Sequence, residues 1–323
     1  MAGHSWGRRL VAGLLISATG LIAVVVLPLQ TIFALAPYWR PMHAAASSIM
    51  QVAGFAMVMR GRDKRCSAGD VWDALNGDRF RTTKAQIRTA DKVIGTDGNL
   101  RLVATPSGEF WIPAPDIDTL AEQLAEQKLE VYGHDVRAGE VVLDCGANIG
   151  VYTRVALARG ARTVVAIELA PEPLACLRRT FEREIRDGRV ILYPKGVWDK
   201  DATLRLTTNQ GLASAADSVA INRGEEGPEV QLTTIDELVS ELHLPRVDFI
   251  NMDIEGSEPH ALRGAARTLA TYKPRLEISM EHRQSDPDII PALVLRLNPQ
   301  YQTLCGSCGM TTGRAQPEVL LAW

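Results

Sequence analysis

An aspartate and a glutamate two residues apart in VDFINMDIEGSE, Asp253 and Glu255, and a histidine closing the run KPRLEISMEH, His282, are residue types that move protons. A free aspartate titrates at about 3.9 and is a poor base at neutral pH unless burial raises it; an imidazole, at about 6.5, is better matched. The same three side chains also suit a shared divalent cation, since together they offer oxygen and nitrogen donors. In an extended strand Asp253 and Glu255 point to one face. Plainer roles compete: Asp253 orienting the next loop, Glu255 bonding amides near the following helix, His282 facing solvent. Glu258 and Arg263, spaced along SEPHALRGA, read as a surface pair.

A second chemical signal is VVLDCGANIGVYT, residues 141–153. Each glycine costs about 0.5–1 kcal/mol where regular structure would have served, so Gly146 and Gly150 imply a sharp bend or a close approach. Their spacing is GxxxG. The dinucleotide fingerprint GxGxxG needs a glycine where Asn148 stands, so that a pyrophosphate can reach a helix N-terminus. Glu168, ending TVVAIEL, sits where a carboxylate can accept from both ribose hydroxyls. The pattern fits a nucleoside without a diphosphate, and S-adenosylmethionine (SAM) is the common ligand of that description. Turn stabilisation is the competing role for Asp144 and Asn148.

These residues need a scaffold, and the order of elements supplies one. A hairpin is expected over 99–113 with its turn at PSGE, then a helix over 116–133 with Leu120, Leu124 and Leu129 on one face. Strands EVVLDC, TVVAIEL, RVILYPKGVW and VDFINMDIE alternate with helices beginning at Gly150, Pro171, Thr233 and Ser257, and ATLRLTT reads as an outer strand. Such alternation predicts an α/β fold, a doubly wound, mostly parallel sheet. The closing runs YQTLCG and EVLLAW have too short a link for a helical crossover and should pair antiparallel.

With its motifs in place the chain resembles the FkbM family of class I SAM-dependent methyltransferases. VVLDCGANIGVYT matches that family's opening motif, VDFINMDIEGSEPHALRGA its strand-four motif and KPRLEISMEHR its strand-five segment. The resemblance implies a seven-stranded Rossmann-like sheet with an antiparallel last strand and O-methylation of a glycan, glycolipid or related metabolite. It implies that Asp144, Gly146, Ala147, Asn148 and Gly150 line the methionine and ribose end of SAM. Tyr152 and Thr153 would reach the SAM carboxylate, Glu168 the ribose, and Leu169, Val197 and Trp198 would flank adenine. Asp253 would face the transferring methyl group, with Glu255 and His282 beside it. A divalent metal is a possible addition, with no residue assigned to it.

Composition divides the chain further. Residues 1–65 carry seven Lys and Arg and one acid, Asp63, whereas the remainder carries 28 bases against 37 acids. No strong basic excess marks a nucleic-acid surface in a chain of net charge −3. Residues 10–36 are almost wholly apolar, and as a helix would span roughly 40 Å, enough for a bilayer. A transmembrane anchor is expected there, with a weaker second span at 41–59, and the basic run RGRDKR as a topology or headgroup signal that puts the following region in the cytoplasm. The expected organisation is an anchor over 1–65, a linker and cap over 66–135, and the catalytic domain over 136–323. The five cysteines form no expected disulfide framework, and Cys305 and Cys308 lack the further ligands of a zinc site. Two rival functions are a nicotinamide-dependent oxidoreductase, separable by NADH against SAM titration, and a non-catalytic membrane adaptor, which only measured turnover excludes.

Overall fold

The computed structural model describes residues 11–16, 22–27, 56, 58–129, 135–208, 218–221, 225–311 and 314–323. The chain divides into two compact units, Met1–Arg60 and Gly61–Trp323. In the first, strands β1 (Val11–Ile16) and β2 (Ile22–Leu27) pair antiparallel, with Val11 opposite Leu27 and Ile16 opposite Ile22. This corrects the expectation of one helix through 10–36. Hydropathy alone does not separate strand from helix, and the β-branched Ile22, Val24, Val25 and Val26 favour extended backbone. The rest of 10–36 and nearly all of 41–59 lie outside the described residues, among which no helix is long and apolar enough to cross a membrane.

The second unit opens with helix α1 (Ala68–Asn76), started by a capping box in which Ser67 and Asp70 satisfy each other's backbone amides. Helix α2 (Asp78–Ala90) follows directly, and β3 (Lys92–Asp97), β4 (Leu100–Thr105) and β5 (Gly108–Pro113) form an antiparallel meander. Helix α3 (Ile117–Leu129) buries Leu120, Ala121, Leu124 and Ala125. They pack with Val103, Phe110 and Ile112 from the meander and with Ile149 and Val151 from the next unit of secondary structure.

Then come β6 (Val141–Cys145), α4 (Val151–Ala158), β7 (Thr163–Ile167), α5 (Pro171–Thr180), α6 (Glu182–Arg186) and β8 (Val190–Tyr193). Short β9 (Gly196–Val197) joins β10 (Ala202–Thr208) and β11 (Glu225–Thr233) in a separate three-stranded sheet. The expected single strand over 189–198 is thus two, broken around Pro194, which has no amide hydrogen for a ladder. Helix α7 (Ile235–Glu241), β12 (Phe249–Met252), α8 (Glu258–Arg263), α9 (Ala266–Thr271), β13 (Arg275–Ser279) and α10 (Asp286–Leu297) continue the alternation. Strands β14 (Thr303–Cys305), β15 (Cys308–Thr311), β16 (Arg314–Pro317) and β17 (Val319–Ala322) end the chain.

The main sheet has seven strands in the order β14-β17-β13-β12-β6-β7-β8. Strands β13, β12, β6, β7 and β8 run parallel, and β17 runs antiparallel to β14, as the short link predicted, and to β13, as the resemblance implied. Every residue of β6 is buried, as a strand covered on both faces requires. Successive connections leave β6 toward β7 on one side and β12 on the other. The carboxyl ends of these strands therefore diverge and open a crevice.

Cys66 and Cys308 form a disulfide between the start of α1 and β15, across 242 residues of sequence. The expectation of unpaired cysteines is corrected: Cys308 bonds to Cys66 and not to its CxxC neighbour Cys305, because only the fold brings residue 66 beside the C-terminal strands. Nor is RGRDKR wholly a surface signal. Arg65 ion-pairs with Asp63 at 2.6 Å and with Asp288 on α10 at 2.8 Å, tying the start of this unit to its end.

Candidate active site

A cavity of about 1210 Å³ lies over the carboxyl ends of β6, β7, β12 and β13, closed on the far side by α1, α2 and α3. The bend after β6 sets its floor. Gly146, at φ +87°, passes so close to β12 that a β-carbon there would lie 1.8 Å from the Asp253 carbonyl oxygen. The chain carrying Asp253 thus occupies the place a side chain would take. At Gly150 (φ +92°) a β-carbon would meet Phe181 and Leu177, so the second glycine lets α4 seat against α5.

Glu168 locks the bend to the next strand. The Asn148 N–H donates to its Oε2 at 2.9 Å, and the Leu169 and Ala170 N–H groups donate to Oε1 at 2.7 Å each. Asn148, at φ +47°, has its Oδ1 accepting from the Ile149 N–H. Gly146, Ala147, Asn148, Tyr152, Glu168, Leu169 and Val197 all line the cavity. The Tyr152 ring is buried, stacked on Phe249, and its hydroxyl has no partner among the described residues. Burial raises that phenol well above its usual range, so it keeps its proton, and the hydroxyl oxygen is itself buried.

Four expected cofactor residues stand behind the wall instead. Asp144 is fully buried, accepting from the Thr153 hydroxyl at 2.5 Å and from the Asn251 amide at 3.0 Å. Burial raises its pKa, opposed by those two bonds. Thr153 is spent on that contact, so neither reaches a ligand; Gly150 is packed as described. Trp198 stacks on His260, ring centroids 3.7 Å apart, and leaves that part of the wall to Gly196 and Val197.

At the opposite side of the bend, Asp253 and Glu255 line the cavity, but not as neighbours on an extended strand. β12 stops at Met252, and the turn after it holds Glu255 at φ +54° and Gly256 at +89°. His282 draws the two carboxylates together: its Nε2 lies 3.4 Å from Asp253 Oδ1 and 3.5 Å from Glu255 Oε2. Glu258 takes the other ring nitrogen, with Oε1 at 3.2 Å from Nδ1. The His282 side chain is 7% exposed and does not line the cavity.

Burial opposes charge on His282, but the bonds to Glu255 and Glu258 and the charge of Asp253 outweigh it and raise its pKa well above 6.5. With a carboxylate oxygen within 3.5 Å of each nitrogen the ring is favoured as an imidazolium, although Nδ1 makes no hydrogen bond among the described residues, and it is not the neutral base expected from its intrinsic pKa. Asp253, Glu258 and His282 have ligand atoms within 4.8 Å of one another. Yet Asp253 and Glu258 face different ring nitrogens, and one ion binds through one of them. The arrangement suits a proton at its centre better than a shared metal.

Asp253 has half its side-chain surface open to the cavity. Burial raises its pKa, His282 lowers it, Glu255 and Glu258 raise it again, and the result is a carboxylate pushed up to about 6. Glu258 corrects the surface-pair reading. It is fully buried, and its Oε1 accepts from the N–H groups of Ile254 at 2.9 Å and Gly256 at 3.4 Å; Arg263 is exposed. An acid in the first turn of a helix after a glycine turn was the available signal, since such acids fold back on backbone amides. Sequence reasoning also missed Glu126, Glu281 and Glu318, which line the cavity beyond Asp253. Burial is the main cause that raises all three, Glu126 and Glu318 to about 7.

Comparison with known proteins places this geometry. The methyltransferase FkbM domain matches residues 144–301, from the buried aspartate of β6 to Tyr301, two residues before β14. The 31-O-demethyl-FK506 methyltransferase FkbM of Streptomyces tacrolimicus is 29% identical over 161 residues, 41% of this chain and 62% of that protein. The AMB antimetabolite synthetase AmbE of Pseudomonas aeruginosa is 27% identical over 176 residues, 42% of this chain and 8% of that one. The chain thus spans less than two thirds of the length of either curated relative. Among solved structures, methyltransferase FkbM from Methylobacillus flagellatus KT aligns with 78% of this chain and 60% of its own, at 21% identity and a TM-score of 0.43. Residues 144–301, with the motifs they contain, thus match the FkbM methyltransferase domain.

Proposed function

We propose that the second unit is a SAM-dependent O-methyltransferase acting on a hydroxyl of a glycan, glycolipid or related metabolite. The observation that carries the reading is the Glu168 carboxylate at the end of β7, facing the cavity while it pins the Asn148 amide one strand away. When bound, SAM supplies a methyl group on a sulfonium, open to in-line displacement by an acceptor oxygen. The protein aligns that oxygen and takes its proton. Asp253 is placed for the second task, raised toward neutrality by burial and kept partly ionised by His282. Alignment falls to the cavity walls of α1, α2 and α3, which include Trp72, Phe80 and Glu126. An acid-lined cavity with aromatic faces favours a neutral or amine-bearing polyol over a sugar phosphate or carboxylate.

Glu168→Gln keeps the side chain's shape and one strong acceptor but removes the charge. Calorimetry should give SAM affinity weaker by about 10–100-fold, the cost of a charge-assisted hydrogen bond, with the fold retained by circular dichroism. Unchanged affinity would count against the pocket.

Membrane attachment belongs to the same proposal and rests on the apolar stretch 10–36 flanked by Arg8, Arg9 and Arg40. The full chain should remain in membranes washed with alkaline carbonate, and release by that wash would sink the idea. The basic flank favours a cytoplasmic face, where SAM is made. The Cys66–Cys308 bond favours a second placement, in an oxidising compartment. Alkylation of Cys66 before cells are lysed would support the first placement, and resistance to it the second.

A further inference from the structure

We propose that Glu258 is a positioning residue for proton removal, holding His282 across from Asp253 so that the imidazolium fixes the carboxylate that receives the acceptor's proton. The inference rests on the methyltransferase reading above and adds to it a buried residue that never touches substrate. Glu258 is 0% exposed, and its Oε2 has no partner among the described residues. A buried carboxylate with one bare oxygen is expensive unless a cation compensates it. The adjacent cation is His282, 3.2 Å from Oε1.

That same Oε1 accepts from the amides of Ile254 and Gly256. One side chain therefore holds both the turn that carries Asp253 and Glu255 and the ring those two carboxylates face. Removing the imidazolium would leave Asp253 and Glu255 in contact range of one ring position with nothing to offset their repulsion. In the step so supported, the acceptor O–H bond breaks and its proton passes to Asp253. The new O–C bond forms as the S–C bond breaks, and the ring keeps both its protons. The proton on Asp253 then leaves through the cavity.

Other charged groups surround this set. Glu281 and Arg283 flank His282 in sequence, and Asp286 at the start of α10 interacts with both His282 and Glu258. Glu126 on α3 and Glu281 face Asp253 across the cavity, with Glu318 next to Glu281 and Asp144 beneath. Arg283 apart, these are acids. None of them substitutes for the charge on His282.

Glu258→Gln can keep the hydrogen bonds to Ile254 and Gly256 and removes only the charge, so it separates positioning from folding. In the full chain, its kcat should fall about tenfold or more while SAM affinity stays within about twofold. Loss of the Glu258 charge alone lowers Asp253, but His282 is the larger influence, and once it loses its proton it no longer holds Asp253 down, so the acid limb of the kcat–pH profile should move upward by about half a pH unit. His282→Gln should move the limb in the same direction, and the double variant should lose no more than the worse single one. A lowered kcat with an unmoved limb would overturn the proposal, as would additive losses. If Glu258→Gln does not fold, His282→Gln decides alone: a limb that stays in place overturns it. Wild-type protein that binds no SAM would remove the underlying reading as well, a failure told apart by the absence of binding.

Discussion

Asp253→Asn should abolish methyl transfer while leaving SAM bound. The expected loss is about 10²–10⁴-fold in kcat, the range for a positioned general base, against an affinity changed by less than about threefold. The side chain lines the cavity next to the bend that carries Gly146, Ala147 and Asn148, so it reaches the ligand space without supporting that bend. Its pH signature follows from its pKa. Burial raises the carboxylate, and with His282 opposing and Glu255 and Glu258 reinforcing, it reaches about 6. The active form is the ionised one, so kcat should be level above that value and fall as the pH drops through it, two units above the limb of an ordinary aspartate. Asp253 lies 3.4 Å from the His282 ring, so the limb reports the pair. Turnover by Asp253→Asn at the wild-type rate would remove this residue from the mechanism.

The second large effect is expected from one added methyl group. In Gly146→Ala the new β-carbon would fall 1.8 Å from the Asp253 carbonyl oxygen, at a φ of +87° that alanine adopts poorly. The backbone conformation alone costs about 1–2 kcal/mol, before any displacement of β12. Relief of the overlap must move the bend or the strand end, and a misplacement of about 1 Å is worth about 10²-fold in rate. Both SAM binding and turnover should therefore fall by about 10²-fold or more, with a lower melting temperature. Asp253→Asn loses only turnover, and that difference separates the two roles. A Gly146→Ala protein with normal SAM affinity would mean that the close approach is not what shapes the pocket.

The two variants meet at one point of the fold. Asp253 donates its own N–H to the Cys145 carbonyl, and Gly146 lies against the Asp253 carbonyl. The proposed base and the proposed cofactor loop are thus joined through backbone, where β6 and β12 lie side by side before their ends part.

Much of this was legible in the chain itself. The branched apolar run of β6, the glycines after it, the acid ending β7 and the alternation of strands with helices specify a parallel sheet and the place of its cleft. They do so because each is a local pattern, written in neighbouring residues. Three features were not local. Glu258 reads as a surface acid until the glycine turn folds it under His282. Cys66 finds Cys308 only when both ends of the unit meet, and the helix expected over 10–36 gives way to strands in the described part because apolarity does not fix backbone geometry. Which residues reach the cavity was likewise decided by packing: Asp144 and Thr153 satisfy each other behind the wall, whereas Tyr152, one residue from Thr153 on α4, lines it. Sequence patterns set where a backbone bends; charge pairing and exclusion of water, which need partners distant along the chain, decided what each side chain does there.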